Sequence, residues 1–444
     1  MSTNLLNLSS YTVQRLEEDE HDYHIYATVA SVLKCCIHCN SSSIRGFGRR
    51  EQLIKDLAMH GKRVGIYVDT RRFQCLHCNK TFYEPLPDVD EKRKMTSRLV
   101  QWVGKQAISR TFASIADEIG IVEGTVRSIF RDYINELENT VRFEIPQWMG
   151  IDEIHLIKPR CVVSNIQNNT IVEILKDRNK ATVTSYLSQL NGLNQVHYVA
   201  MDMWRPYRDA VETVIPDAQI VIDKFHVVRM ANDALEKVRK SLREQLTAKQ
   251  RRGLMNDRFV LLKRERDLTP QEAFLLDGWC KNYPELGLAY RQKEDFYQIY
   301  DAKTPEEAKA LFSDWLSTLT PEIKMAYGDL ARAWQNWEPY ICNYFNHPVT
   351  NAYTESLNNL IRVMNRLGRG YSFEALRAKI LFAEGAFKLE KTRPKFKRRK
   401  QEPVLEKAIS FHMVTDFNQE STQAPKNYGV DISILTAMIE RDLL

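Results

Sequence analysis

Two Cys-x-x-Cys pairs, Cys36-Ile-His-Cys39 and Cys75-Leu-His-Cys78, constrain the N-terminal part of this chain more than any other feature. Each turn presents two thiolates to one side, and two such turns supply the tetrahedral sulfur set that zinc prefers. Of the eight cysteines, five lie within the first 80 residues, while Cys161, Cys280 and Cys342 are scattered. That is not a disulfide framework; it suggests one structural Zn2+ and reduced thiols elsewhere. Cys35 could replace Cys36 as a ligand, but it breaks the two-residue spacing. His38 and His77, inside the knuckles, are expected to point outward. A predicted strand at 63–69 precedes the second knuckle, as in a hairpin-like ribbon carrying an insertion. Arg71, Arg72, Phe73 and Lys80 would give the module a basic, aromatic face able to lie along DNA.

Downstream, three helical patterns follow closely. Residues 97–108 place Leu99, Val103 and Ala107 on one face. Residues 112–119 and 123–133 are separated by Gly120, with Phe112, Ile115, Ala116 and Ile119 set to face Val126, Ile129 and Phe130. Two short helices joined at a glycine and preceded by a third form the pattern of a DNA-reading helix-turn-helix; the alternative is a helical spacer. Thr125, Arg127, Ser128 and Arg131 fall largely off the apolar face and are the candidate DNA contacts. Glu123 and Gly124 are poor choices for the start of a recognition helix.

From Pro146 the texture changes to short apolar runs. Strands are predicted at 147–157, 161–166, 170–175, 196–201 and 219–222, with helices at 179–190 and 205–214, which suggests a mixed sheet flanked by helices. Asp152 lies within the first of these strands and Asp202 ends the fourth. An acid in an apolar strand is costly unless something neutralises it, and such carboxylates often hold metal ions; a solvated strand end is the alternative. If residues 350–366 form one helix, Asn351, Glu355, Asn358 and Arg362 share a face, a set suited to metal and phosphate contacts. Glu153 should point to the face opposite Asp152.

The segments Val199-Ala-Met-Asp-Met-Trp-Arg-Pro-Tyr207, Ile220-Val-Ile-Asp-Lys-Phe-His-Val-Val228 and Thr350-Asn-Ala-Tyr-Thr-Glu-Ser-Leu-Asn-Asn359 resemble the bacterial insertion-sequence transposases of the ISL-three family, as does the order of knuckles, helix-turn-helix and core. The resemblance covers the chain to about Lys400. It implies a multi-domain α/β protein: a ribonuclease-H-like mixed sheet with an inserted all-helical domain at about 226–345, preceded by a zinc ribbon and a helix-turn-helix. It also implies an Asp–Asp–Glu site, carried over as Asp152, Asp202 and Glu355. These acids would bind two Mg2+ ions, with Mn2+ as a substitute, for strand cleavage and strand transfer. Asp223 and His226 match an Asp-x-x-His signature and are accessory candidates with Asn351, Asn358 and Arg362. Trp279, Trp315, Trp334 and Trp337 in the helical stretch are expected in the core rather than as DNA wedges.

The expected organisation is an N-terminal segment (1–30), zinc module (31–90), helix-turn-helix (91–145), catalytic domain (146–390), and a basic linker with tail (391–444). The expected partners are double-stranded DNA, as terminal inverted repeats and target, and further copies of the chain as a dimer or higher assembly. A net charge of +6 says little alone, but residues 388–400 carry eight basic residues and one acid, either a phosphate contact or a solvated linker. No stretch approaches a membrane span and no secretion signal is legible, so a cytoplasmic location is expected. The rival readings are a catalytically silent, transposase-derived DNA-binding regulator and a nuclease that cuts without joining.

Overall fold

The computed structural model describes residues 7–388. The tail and nearly all of the basic run at 388–400 lie outside them. The chain forms two compact units, residues 7–142 with 365–383, and residues 143–364 with 384–388. Among the described residues, no helix is long and apolar enough to cross a membrane.

In the first unit, β1 (Tyr11–Glu18), β2 (Asp22–Val29), β3 (Ile44–Met59), β4 (Lys62–Cys75), β5 (Thr81–Tyr83), β6 (Val89–Asp90) and β7 (Met95–Thr96) form one sheet. Its order is β1-β2-β4-β3-β7-β6, with β5 on β4. Residues expected as a separate N-terminal segment are thus strands of the sheet that carries the second cysteine knuckle. On β4 the side chains alternate: Val64, Ile66 and Val68 are buried with Ile25, Ala27 and Ile54. β3 and β4 form a hairpin closed at His60 and Gly61, both at positive φ, which matches the right-handed twist of the strands.

Three helices follow: α1 (Ser97–Ser109), α2 (Phe112–Ile119) and α3 (Glu123–Thr140). Thr96 caps α1 through Leu99 N and donates to the buried Asp56 of β3 at 2.6 Å, an acid that also pairs with Arg98. Gly120 ends α2 in the left-handed conformation, φ +69°, so the chain reverses into α3.

In the second unit, β8 (Trp148–His155), β9 (Pro159–Asn165), β10 (Thr170–Leu175), β11 (Tyr198–Met201) and β12 (Gln219–Ile222) form a sheet of order β10-β9-β8-β11-β12. The first three strands pair antiparallel; β11 is parallel to both β8 and β12. α4 (Lys180–Ser188) and α5 (Arg205–Val214) connect strands. After β12 the chain is helical: α6 (Lys224–Ser241), α7 (Ala248–Asn256), α8 (Arg258–Leu262), α9 (Pro270–Asn282), α10 (Pro284–Ile299), α11 (Pro305–Ser317), α12 (Pro321–Asn346) and α13 (Ala352–Leu367). One continuous core joins sheet and helices, from Met149 and Val221 to Phe296, Trp334 and Ile341. Trp315, Trp334 and Trp337 are buried in it, and Trp334 stacks on Phe312 at 4.7 Å. Trp279 is partly buried and donates to Asp257.

The last described α-helix, α14 (Phe373–Leu381), lies within the expected catalytic stretch 146–390 and packs with the first unit. Lys379 is one tie: 1% exposed, it donates to the carbonyls of Ala107 and Arg110 and lies over the rings of Phe112 and Phe130. A cation in an apolar helix gives no sequence signal for such a seat.

Gly150 fixes how closely α13 approaches β8. A Cβ there would collide with Asn351 Oδ1 and Ser164 Oγ and lie 2.7 Å from Thr354 Oγ1. Gly150→Ala is expected to cost about 1–3 kcal/mol, the usual range for overpacking, read by denaturant unfolding of the full chain.

Candidate functional site

The carboxyl ends of the parallel strands, together with α13, gather the acids. β8 carries Asp152; Asp202 directly follows β11; Asp223 directly follows β12 and caps α6, accepting from Phe225 N at 3.2 Å. Glu355 sits in the first turn of α13. Asp152, Asp223 and Glu355 are buried, while Asp202 is about a quarter exposed at its side chain (24%). His226, in the first turn of α6, links the acids: its Nε2 is 2.5 Å from Asp202 Oδ1 and 3.4 Å from Glu355 Oε1.

Amides of α13 orient this cluster. Asn358 donates to Asp152 Oδ2 at 2.8 Å and to the Glu153 carbonyl at 3.2 Å. Asn351 donates to the Ile151 carbonyl at 3.2 Å and accepts from Thr354, which contacts Ser164 Oγ at 2.6 Å. Asp152 Oδ1 accepts from Glu153 N at 2.7 Å. Arg362 bonds Asn359 and lowers the cost of charge on Asp152. Glu153 is held by Arg178, whose guanidinium lies 4.4 Å over Trp204.

Burial dominates the electrostatics. It raises Asp152, with Asp202 adding to the effect, and it raises Asp223. It carries Glu355 up to about 10, helped by Asp223. For His226 burial pushes downward, but Asp202, Asp223 and Asp152 outweigh it and carry the imidazole up to about 10. Asp223 Oδ2, Glu355 Oε2 and Asn358 Oδ1 are buried and accept no hydrogen bond. So many unsatisfied acceptors around two overlapping sets, Asp152–Asp202–His226 and Asp223–His226–Glu355, fit divalent cations with oxygen ligands. In the sequence, Asp223 and His226 read equally well as an ion pair at a strand end, which sets them below the other acids. Sequence reasoning missed the buried Ser164–Thr354 contact, which has no pattern to betray it.

The zinc module is a second centre. Cys36 Sγ lies 3.7 Å from Cys78 Sγ, and Cys39 Sγ lies 3.6 Å from Cys75 Sγ. A tetrahedron of Zn–S bonds has edges of roughly 3.8 Å, so the four thiols fit a structural zinc. Cys36, not Cys35, belongs to the set, and His38 and His77 are exposed. The basic face expected beside the module is largely engaged. Arg71 is paired with the buried Glu84, and Arg72 lies over Phe47 and Tyr83.

On α3, Arg131 is exposed, and Thr125 and Ser128 are half-buried along a groove. Arg127 is held by Glu123 one turn earlier and lies over Phe112, which gives Glu123 a use that the sequence did not suggest.

Comparison with known proteins agrees with this arrangement. Residues 149–380 match a family described as transposase, of ISL3 type. Residues 33–78 match the zinc-finger of the transposases of IS204, IS1001, IS1096 and IS1165. Residues 84–134 match the helix-turn-helix domain of transposase family ISL3. The transposase for insertion sequence element IS1001 of Bordetella parapertussis is 23% identical over 372 residues, covering 81% of this chain and 92% of the relative. The transposase for IS1557 of Mycobacterium tuberculosis is 25% identical over 301 residues, 61% of this chain and 67% of the relative.

Two outcomes follow. Every resolved shift in the acid cluster is upward, so the folded chain keeps protons that the unfolded chain releases. That stability is full below the ordinary carboxylate range and drains as pH rises toward about 10. Metal-free protein should melt at lower temperature as pH is raised from about 6 to about 9, less steeply in Asp152→Asn, and Mg2+ should raise the melting temperature more at the higher pH. Cys75→Ser should lose the bound zinc, measured by elemental analysis, and destabilise the sheet around β3 and β4.

Proposed function

Since this chain belongs to the ISL3 family of insertion-sequence transposases, we propose that it cuts DNA at the ends of its element and joins the freed 3′ ends to target DNA, using Asp152, Asp202 and Glu355 as metal ligands. The observation that carries the reading is the gathering of these acids and Asp223 into two sets that share His226, with Asp223 Oδ2 and Glu355 Oε2 buried and without donors. The sheet, three antiparallel strands followed by two parallel ones with acids at the carboxyl ends, supports a ribonuclease-H-like domain. The long helical excursion between β12 and α13 fits an insertion that shares the sheet's core.

When bound, a pair of Mg2+ ions supplies activation of the attacking oxygen and neutralises charge on the leaving 3′ oxygen. The chain's own residues prepare that setting. Asn358 fixes the Asp152 carboxylate by occupying Oδ2, and the Glu153 amide occupies Oδ1, so its rotamer is set before substrate arrives. Asn351 ties α13 to β8 one turn before Glu355. His226 Nε2 lies between Asp202 and Glu355, where a protonated imidazole offsets their repulsion. Arg362 is placed for phosphate. In the N-terminal unit, zinc holds the knuckles together, and α3 reads duplex DNA with Thr125, Ser128 and Arg131, while Arg127 is released from Glu123 to a phosphate. Joining two ends calls for a dimer or larger assembly, working in the cytoplasm on chromosomal DNA.

Asp202→Asn is expected to keep binding to DNA carrying the element's ends. It should lower Mg2+-dependent cleavage by roughly a thousandfold or more, the scale of several kcal/mol of lost charge stabilisation. Equal cleavage by the variant would remove Asp202 from the chemistry. End binding without cleavage in the wild type would point to a regulator.

A further inference from the structure

Between the sheet and the helix-turn-helix of the N-terminal unit runs an open groove of about 800 Å3. One wall carries Leu53 and Lys55 of β3 and the turn 92–95; the other is the first turns of α3, including Thr125 and Ser128. Four of the lining side chains are cationic and none is acidic.

The cations differ in what they are free to do. Lys55 donates to the Gly120 carbonyl and so holds the end of α2. Arg93 pairs with Asp90 at 2.8 Å and with Asp132 of α3, which anchors the turn beside that helix. Lys92 and Lys94 flank this anchor, are exposed, and have no acidic partner among the described residues. Lys94 takes a left-handed φ of 53°, so the turn is tight rather than trailing. Two unpaired ammonium groups are therefore carried on a turn whose central arginine is locked to the DNA-reading helix.

The opposite wall complements them. Val122 gives α3 no side-chain cap, which leaves the first-turn N–H groups without a side-chain acceptor. A Cβ on Gly124 would meet nothing within 4 Å, so a ligand backbone can come close there. A helix start without a side-chain cap and exposed lysines across the groove from it suit an anionic, extended ligand. Of such ligands, a DNA strand is the one continuous with the exposed face of α3.

We propose that this groove seats the sugar-phosphate backbone of one strand of duplex DNA, with Lys92 and Lys94 on phosphates while Thr125 and Ser128 reach base edges. The zinc-bearing sheet then acts as the second jaw of the DNA-reading unit, not only as a structural neighbour. The inference rests on the DNA-binding reading of the helix-turn-helix and is independent of the cleavage chemistry.

The test uses the full-length chain and fluorescence anisotropy with two duplexes, one carrying the element's own end and one scrambled, titrated across about 50–200 mM salt. In Lys92→Gln/Lys94→Gln, both exposed positions, the slope of log affinity against log salt should fall by roughly 2, about 0.9 per lost phosphate contact. Both duplexes should weaken alike, so the preference for the element's end is retained. Thr125→Ala/Ser128→Ala should do the reverse, lowering the preference at an unchanged slope. An unchanged slope in the lysine variant would overturn the proposal, as would a loss confined to the element's end. If the wild type ignores both duplexes, the DNA-binding reading itself fails, and this inference with it; normal binding with an unchanged slope in the lysine variant sinks the groove alone.

Discussion

Concentrating carboxylates inside a folded core is the constraint on which the rest of this structure depends. Charge taken out of water without a partner costs several kcal/mol per group, so a fold that buries Asp152, Asp223 and Glu355 together must supply protons or cations. The sheet brings the acids to one edge because β8, β11 and β12 run parallel there. α13 completes the set only because Gly150 lets it approach and because Asn351 and Asn358 bond the strand's carbonyls. His226 then balances two of the acids from a helix that starts directly after β12.

The N-terminal unit solves a different problem: holding a small reading helix steady on a domain with modest cores. It does so with charged side chains held at the joints. Asp56 ties β3 to Arg98 of α1, Arg93 ties the preceding turn to α3, and Lys379 ties α14 to the end of α1 and to the rings beneath it. Partly or fully buried pairs of this kind specify geometry more than they add stability.

Much of this was legible in the residues. The strands β8 to β12 stand out as apolar runs, and the helices around Gly120 follow from periodicity with a left-handed stop. The two knuckles carried their own spacing. The N-terminal strands were not legible: β1 is exposed along nearly its whole length, so it shows no buried alternation. Of the β3–β4 hairpin, the strand expected at 63–69 lies within β4, while β3 hid behind a polar stretch, although His60-Gly61 was the turn signal. In the site, Glu355 was legible chiefly through resemblance, supported by its helical face with Asn351 and Asn358. The seat of Asp223, the Lys379 tie and the Ser164–Thr354 contact join residues far apart in the chain, and no local pattern encodes such contacts.

The central claim is that the buried acids form a cation site rather than a permanently protonated core. It is tested most directly by Mn2+ binding to the full chain, followed by electron paramagnetic resonance, in wild type and in Glu355→Gln. The account predicts tight binding to the wild type that is displaced by Mg2+ and weakened by roughly tenfold or more in the variant. Wild type and variant that bind Mn2+ equally weakly would contradict it and leave the acids as a neutral, proton-sharing cluster.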